Sequence, residues 1–304
     1  MPLVSVVMPS YNHEKFLSEA IESVLGQDFD DLELIIVDDA STDSSRQIIQ
    51  EYEVKDHRIQ AILHECNQGI SKTVNDGIEK SKGKFIGQID SDDVWVPDKL
   101  AKQLAVLEHD EDLIVWSEGG LIDHAGQPVR KNFSEFQGFV SQKKSGNIFQ
   151  ELVKGNYIFG STLLFKKTNL GNIRYDENLV YMNDYKFVLD LAREYEFYYI
   201  AEPLAKYRLH GDNTLLSSSS EAMKRRQIAD RESASILEES IRRHDHEIAP
   251  ETKANMYASL SRIYYHRGEN KKSLRFLLQA VRYNPSYPKL FLKRTLSDLL
   301  SSHT

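Results

Sequence analysis

The chain has 304 residues, 40% of them hydrophobic, and one cysteine against ten histidines. That composition supports one large domain with its own core plus a smaller appendage, and it excludes both a disulfide framework and a cysteine-rich zinc site. The net charge of −8 is uneven: residues 1–220 carry 22 Lys and Arg against 36 Asp and Glu, whereas residues 221–304 carry 16 against 10. An acidic first part argues against general nucleic-acid binding, which needs clustered basic side chains for phosphate.

The N-terminus enters the strand-like run Leu3 to Met8 with no basic segment before it, so no signal peptide is expected. No apolar stretch is long enough to span a bilayer. The expectation is a cytoplasmic protein that approaches any membrane-bound substrate from the side.

The first hundred residues alternate short apolar runs with amphipathic segments, the pattern of a parallel sheet covered by helices. Val4 to Met8, Leu34 to Val37, Ile59 to Leu63 and Phe85 to Ile89 are predicted as buried strands. Between them, Phe16, Leu17, Ala20, Ile21, Val24 and Leu25 recur at helical spacing, as do Ile48, Ile49 and Tyr52. Another helix is expected from about Pro97, a residue suited to a first helical turn, with Leu100, Leu104 and Leu107 on one face. Leu113 to Arg208 is less regular, with strands expected at Leu113 to Trp116, Thr162 to Phe165 and Phe197 to Ile200, and a polar hairpin or lid from Gly126 to Lys144. After the serine run Ser217 to Ser220 the composition turns to helix formers, which sets the expected domains at 1–216 and 217–304. In the tail, Tyr257, Leu260, Tyr264, Ser273, Leu277, Ala280 and Pro285 fall at the spacing of one tetratricopeptide repeat. A lone helical hairpin of that kind has to pack on neighbouring helices or on the first domain.

In an open parallel α/β sheet, ligands bind beyond the carboxyl ends of the strands. Three such ends are chemically loaded: Pro9 to Asn12, Asp38 to Thr42, and Asp90-Ser91-Asp92-Asp93. Three carboxylates within four residues raise one another's pKa unless a cation or solvent relieves them, and a hard divalent ion, Mg²⁺ or Mn²⁺, is the simplest relief. The competing reading is an acidic turn in which Asp93 or Asp98 supports the next helix N-terminus; at a strand end in this fold the metal is the preferred one. Ser41, Thr42 and Asp43 are expected to cap the following helix, which leaves the carboxylates of Asp38 and Asp39 unexplained. A carboxylate there can accept the imide N–H of uracil or thymine, or the N–H groups of guanine, and the Tyr11 ring can contribute its face to the same base or simply pack.

Val4 to Asn12, Ile36 to Ser41, Asn67-Gln68-Gly69 and Asp90 to Pro97 together, in this order and spacing, resemble the catalytic domain of glycosyltransferase family 2, of the GT-A type, over roughly residues 1–215. The resemblance implies a nucleoside-diphosphate sugar as donor, most often a UDP-sugar, with Asp39 at the base, Pro9 and Tyr11 near the nucleoside, and Asp90 and Ser91 also on the nucleotide side. It implies a metal on Asp92, with Asp90 at the ribose or in the metal shell. Met182 to Phe187 matches the segment that carries the family's catalytic carboxylate; where relatives commonly show Glu-Asp this chain has Asn183-Asp184, so Asp184 is the base candidate. As a bare residue Asp184 also reads as an ordinary helix N-terminal carboxylate. Tyr207 to Asn213 resembles the motif that closes the domain, in which His210 is a further metal candidate, and Asn156 to Ser161 matches an acceptor-side segment.

The reaction implied is a single in-line displacement with inversion at the anomeric carbon, in surface polysaccharide or glycolipid assembly, on a glycan or lipid-linked acceptor. The alternative is a catalytically silent domain that binds a nucleotide sugar or a partner enzyme; product formation separates the two. Nine Lys and Arg against one acidic residue between Arg262 and Arg294 suggest a face that rests on an anionic membrane surface, the plainer reading being a solvated or acid-paired helix face.

Overall fold

Seven consecutive buried residues, Val4–Ser10, form β1. A strand covered on both faces reads as such a continuous apolar run. In the computed structural model of the protein, residues 1–139, 142, 144–211 and 220–285 are described, with side chains of the last stretch from 223 onward. Asp212 and Asn213 of the closing motif, the serine run up to Ser219 and the basic positions Lys289, Lys293 and Arg294 lie outside the described residues.

After β1 the chain alternates α1 (Leu17–Leu25), β2 (Leu32–Asp38), α2 (Ser45–Lys55), β3 (Ile59–Leu63), α3 (Ile70–Lys80) and β4 (Phe85–Gln88), with α1, α2 and the strands where the sequence indicates them and α3 as a further helix. These four strands are mutually parallel in the order β3-β2-β1-β4. Leu17, Ala20, Ile21 and Val24 of α1 are fully buried, the face that the helical spacing marks out. Gly77 lets α3 lie close on the sheet, since a Cβ there would meet Val7 Cγ1 at 2.4 Å. Register aligns the strand ends: Ser10 pairs with Asp38 and Val7 with Gln88, so the carboxyl ends of β1, β2 and β4 open on the same edge.

The second half of the sheet is mixed. It comprises β5 (Val94–Trp95), α4 (Lys99–Leu107), β6 (Ile114–Ile122), β7 (Pro128–Arg130), α5 (Phe133–Phe136), α6 (Phe149–Leu152), β8 (Leu164–Lys166), α7 (Asn183–Glu194) and β9 (Phe197–Arg208). The sheet continues β4-β8-β6-β9-β5, with β7 paired to β6. β8 runs antiparallel to both β4 and β6, whereas β6 and β9 are parallel. Pro97 stands ahead of α4 in a turn closed by Lys99 N–H to the Val96 carbonyl, 3.1 Å, and the helix begins two residues later than its proline suggests.

The segment from Gly126 to Lys144 supplies only the second strand of a hairpin, β7, whose partner β6 ends before it at Ile122, and it is anchored rather than polar throughout. Phe133 is buried and stacks on Phe159 with centroids 4.9 Å apart. Ser134 donates from both N–H and Oγ to the buried Glu118, at 3.0 and 2.6 Å, and the Lys144 ammonium meets the same carboxylate at 3.2 Å.

The chain divides into two compact units, Met1–Ile148 with Tyr157–Asn213, and Phe149–Asn156 with Thr214–Thr304. The second holds α8 (Ser220–His244), α9 (Pro250–His266) and α10 (Asn270–Tyr283). α9 and α10 form the hairpin the repeat spacing indicates: Leu260, Tyr264, Ser273 and Ala280 are buried, and the Ser261 hydroxyl donates to the Ser273 carbonyl at 2.9 Å.

Candidate active site

Two non-glycine residues adopt left-handed backbone at the strand ends, Asn12 after β1 (φ 55°) and Ala40 after β2 (φ 62°). Such conformations persist only where their surroundings hold them, and here the two loops are knitted together. Asn12 N–H donates to Ser41 Oγ at 2.9 Å and Thr42 N–H to Asn12 Oδ1 at 2.8 Å. His13 N–H donates to Ser45 Oγ at 3.1 Å and Glu14 N–H to Asp43 Oδ2 at 3.0 Å. None of the three residues expected to cap α2 holds its N-cap, which is Ser44; Asp43, just before it, accepts Ser45 N–H at 2.9 Å, and Ser41 and Thr42 turn to Asn12 instead.

Pro9 is buried in β1, and Tyr11 is 46% exposed at its end. Asp38 is fully buried, accepts Ser41 N–H at 3.0 Å and meets Arg46 Nε at 3.0 Å. Asp39 organises the loop between β3 and α3: Oδ1 faces His64 Nδ1 at 2.9 Å and accepts Gln68 N–H at 2.8 Å, while Oδ2 accepts Gly69 N–H at 2.8 Å. His64 Nε2 lies 3.2 Å from Asp76 Oδ2 on α3. A carboxylate offers about four acceptor sites, so Asp39 retains room for one more donor.

The acidic loop after β4 is pinned from below. Ser161 accepts Asp90 N–H at 3.2 Å and donates to Asp93 Oδ2 at 2.6 Å, and Trp95 Nε1–H donates to the Ser161 carbonyl at 2.7 Å. Arg208, 1% exposed at the end of β9, donates from Nε to the Asp92 carbonyl at 2.9 Å and from N–H to Asp93 Oδ1 at 3.2 Å. Its guanidinium pairs with Glu19 at 2.6 Å and lies over the Phe16 ring. Asp93 is thereby a buried structural carboxyl, pushed well above the usual range by burial and by Asp92 and Asp90.

Asp90 is raised to about 7 by burial, then by the charges of Asp92 and Asp184. Asp92 differs: burial works to raise it, but the His210 hydrogen bond and the neighbouring His13 and His210 rings outweigh that and hold it below the usual carboxylate range. His210 Nε2 is 2.9 Å from Asp92 Oδ2, and Ser91 turns its hydroxyl to His13 Nδ1 at 2.8 Å. One donor atom each from His13, Asp92 and His210 lie within 4.8 Å of one another, the one such group of three among the described residues. A carboxylate oxygen and imidazole nitrogens at that spacing suit a divalent ion.

Asp184 sits in the first turn of α7, its Oδ1 accepting Tyr185 N–H at 2.6 Å, and Asn183 Oδ1 accepts the Asp184 N–H at 2.7 Å. Its charge reaches Asp90 and the buried Tyr175, whose phenol is pushed well above its ordinary value by burial and then by Asp184 and Asp90. Tyr175 stacks on Phe187 of α7 at 4.1 Å and donates to Gln88 of β4, tying the head of α7 to the strand that carries the acidic loop.

His13 and Tyr175 lie outside the segments that the sequence singles out, and Ser161 and Arg208, which lie inside the acceptor-side and closing segments, have contacts that the sequence does not show. His13 had one available signal, its place directly after Pro9 to Asn12; the others become visible only through partners distant in the chain.

The family model for Glycosyl transferase family 2 matches residues 5–169. The GalNAc(5)-diNAcBac-PP-undecaprenol beta-1,3-glucosyltransferase of Campylobacter jejuni is 28% identical over 302 residues, spanning 96% of this chain and 92% of its own. Among solved structures, S. aureus TarS 1–349 in complex with UDP superposes with a TM-score of 0.59 at 18% identity, covering 95% of this chain and 92% of that one. The mannosyltransferase PcManGT of Pyrobaculum calidifontis, in complex with GDP-Man and Mn²⁺, gives 0.63 at 16% identity, covering 98% of this chain and 80% of that one. These two likenesses bear on the fold, which is the expected GT-A arrangement.

Proposed function

We propose that this chain, which belongs to glycosyl transferase family 2, moves a sugar from a UDP-sugar to a hydroxyl of a lipid-linked glycan, with inversion and with a divalent metal on the diphosphate. The observation that carries this reading is the closeness of the head of α7 to the acidic loop: Tyr175 stacks on Phe187 of α7 at 4.1 Å and donates to Gln88 at the end of β4, and Asp90 is raised by burial and then by the charges of Asp92 and Asp184. A base and a diphosphate site must be neighbours if an acceptor oxygen is to attack the carbon bonded to that diphosphate.

In this reading residues 1–216, apart from the insert Phe149–Asn156, form the catalytic domain. Pro9 and Tyr11 flank the nucleoside, Asp39 offers its remaining acceptor site to the base, Asp90 and Ser91 lie on the nucleotide side, and Asp92 and His210 would hold the ion, with Asp90 beside them in its outer shell. When bound, a divalent ion offsets the negative charge that the departing diphosphate gathers. Asp184 accepts the proton of the acceptor hydroxyl as its oxygen bonds to the anomeric carbon from the face opposite the nucleotide. The carbon–oxygen bond to the diphosphate breaks, and its electron pair leaves with UDP. The lipid-linked acceptor is supported by the Campylobacter relative, which is named for a polyprenyl-diphosphate glycan and aligns through the helical region as well. An enzyme with such an acceptor meets it at a membrane surface; no helix of the described residues is long and apolar enough to cross one.

The test is thermal stabilisation by UDP, dTDP, GDP and CDP with and without Mn²⁺, followed by turnover of the matching sugar donors. A Mn²⁺-dependent shift with UDP and release of UDP on transfer are expected. A shift with GDP alone overturns the UDP assignment, and binding without transfer leaves a silent nucleotide-sugar-binding domain.

A further inference from the structure

The charge pattern of the acidic loop points to a metal site with oxygen ligands from that loop plus one histidine. The side chains assemble differently. His13, from the loop after β1, is turned toward Asp92 and His210, and these three, rather than Asp90, form the group within ligating reach of one another. The His13 and His210 rings stand edge to face, with centroids 5.9 Å apart and planes at 85°, and Phe16 packs against both, at 6.4 and 4.9 Å.

His13 and Asp92 are each held in place by contacts from neighbouring segments. Ser91 Oγ faces His13 Nδ1, which fixes the ring and leaves Nε2 for a ligand; such outer contacts orient metal-binding imidazoles generally. The His13 main chain is fixed by Ser45 Oγ, and the Asp92 main chain by Arg208 Nε. Three chain segments far apart in sequence therefore bring two imidazoles and one carboxylate within 4.8 Å of one another.

We infer that His13 is the third metal ligand and that the site is a two-histidine, one-aspartate centre, which prefers Mn²⁺ and the later transition ions over Mg²⁺ and holds its ion before nucleotide arrives. Imidazole favours borderline ions, whereas Mg²⁺ takes oxygen ligands and usually depends on substrate phosphates to complete its shell. The inference rests on the metal-assisted reading above but specifies it: an all-oxygen site that takes Mg²⁺ together with UDP would serve the same transfer.

The experiment is Mn²⁺ titration of the full-length chain without nucleotide, followed by the electron paramagnetic resonance of free Mn²⁺, with pulsed measurements of nitrogen coupling in the bound ion. Expected are one Mn²⁺ per chain, two imidazole couplings, and retention of the ion against a tenfold excess of Mg²⁺. His13→Ala should weaken Mn²⁺ binding by about tenfold or more and remove one coupling, while Ser91→Ala, which keeps the ligand but frees its ring, should weaken it by up to about tenfold. One coupling in the unaltered protein overturns the inference whether or not His13→Ala folds, as does unchanged affinity in a folded His13→Ala. Either result, with UDP and Mn²⁺ still stabilising the protein and transfer intact, sinks the ligand assignment and leaves the proposed function standing.

Discussion

Ser161 donates its hydroxyl to Asp93 Oδ2 at 2.6 Å and accepts the Asp90 N–H at 3.2 Å with the same oxygen. One fully buried side chain thus spans the two ends of the acidic loop. Ser161→Ala removes both bonds without adding bulk, and the expected cost is about 1–3 kcal/mol for polar groups left unpaired in the interior. Chemical denaturation measures that cost. The same variant should weaken Mn²⁺-dependent UDP binding, because the loop that presents Asp92 loses its lower tie.

Asp184→Asn keeps the size of the side chain and removes its basicity. Transfer is expected to fall by about 10²–10⁴-fold, with UDP binding by calorimetry unchanged. Near-normal turnover would take Asp184 out of the mechanism.

Glu118 predicts a pH dependence of stability. Burial works to raise its carboxyl, but the Ser134 hydroxyl, the Ser134 and Gly119 N–H groups and the Lys144 ammonium outweigh this and hold it below the ordinary value of 4.5. A depressed folded-state pKa means stabilisation that is complete above the unfolded value and lost as pH falls through the folded one. The melting temperature should therefore drop below about pH 4.5 partly through this group, and Glu118→Gln should flatten that part of the profile while costing about 3 kcal/mol at neutral pH. Parallel acid limbs in the two proteins would rule the contribution out.

The outer face of α10 predicts membrane behaviour. Lys271, Arg275 and Arg282 are exposed, and Leu274 and Leu278 between them are 58% and 62% exposed. Basic and apolar residues on one helical stripe suit an anionic lipid surface. Sedimentation with vesicles containing phosphatidylglycerol should be measurable at low salt, weaken as salt rises, and fall in Lys271→Glu/Arg275→Glu. Equal binding to neutral vesicles would reject the electrostatic part, and no binding at low salt would reject the face altogether.

The parallel half of the sheet was legible because burial on both faces writes itself as an apolar run, and because the ligand edge follows from strand direction: Asp38, Asp39 and Asp90 to Asp93 could be located from the chain alone. What escaped depends on closure between distant segments. His13 carries no spacing signal, since its companions at Asp92 and His210 come from other strands. Arg208 reads as one more basic residue in a closing motif until Glu19 and the Asp92 carbonyl are seen around it. The stretch from Gly126 to Lys144 looks polar in composition, yet one inserted ring, Phe133, and one buried acid, Glu118, fasten it to the core. Asp39 shows the reverse: its carboxylate was read for a ligand, and main-chain N–H groups of Gln68 and Gly69, which sequence cannot orient, already take much of its capacity.

The helical unit borrows Phe149–Asn156 from the middle of the chain, where Phe149, Leu152 and Val153 are all but inaccessible and Gln150 bonds to the Glu247 carbonyl and the Ala249 N–H at 3.2 Å each. The change of composition at Ser217 is therefore a poor place to cut. A protein ending at residue 216 would keep this short insert, lose the helices it belongs with, and carry three large apolar side chains into solvent, a recipe for aggregation during expression. Anyone wishing to crystallise the catalytic portion alone would do better to replace Phe149, Leu152 and Val153 with polar residues in the same step.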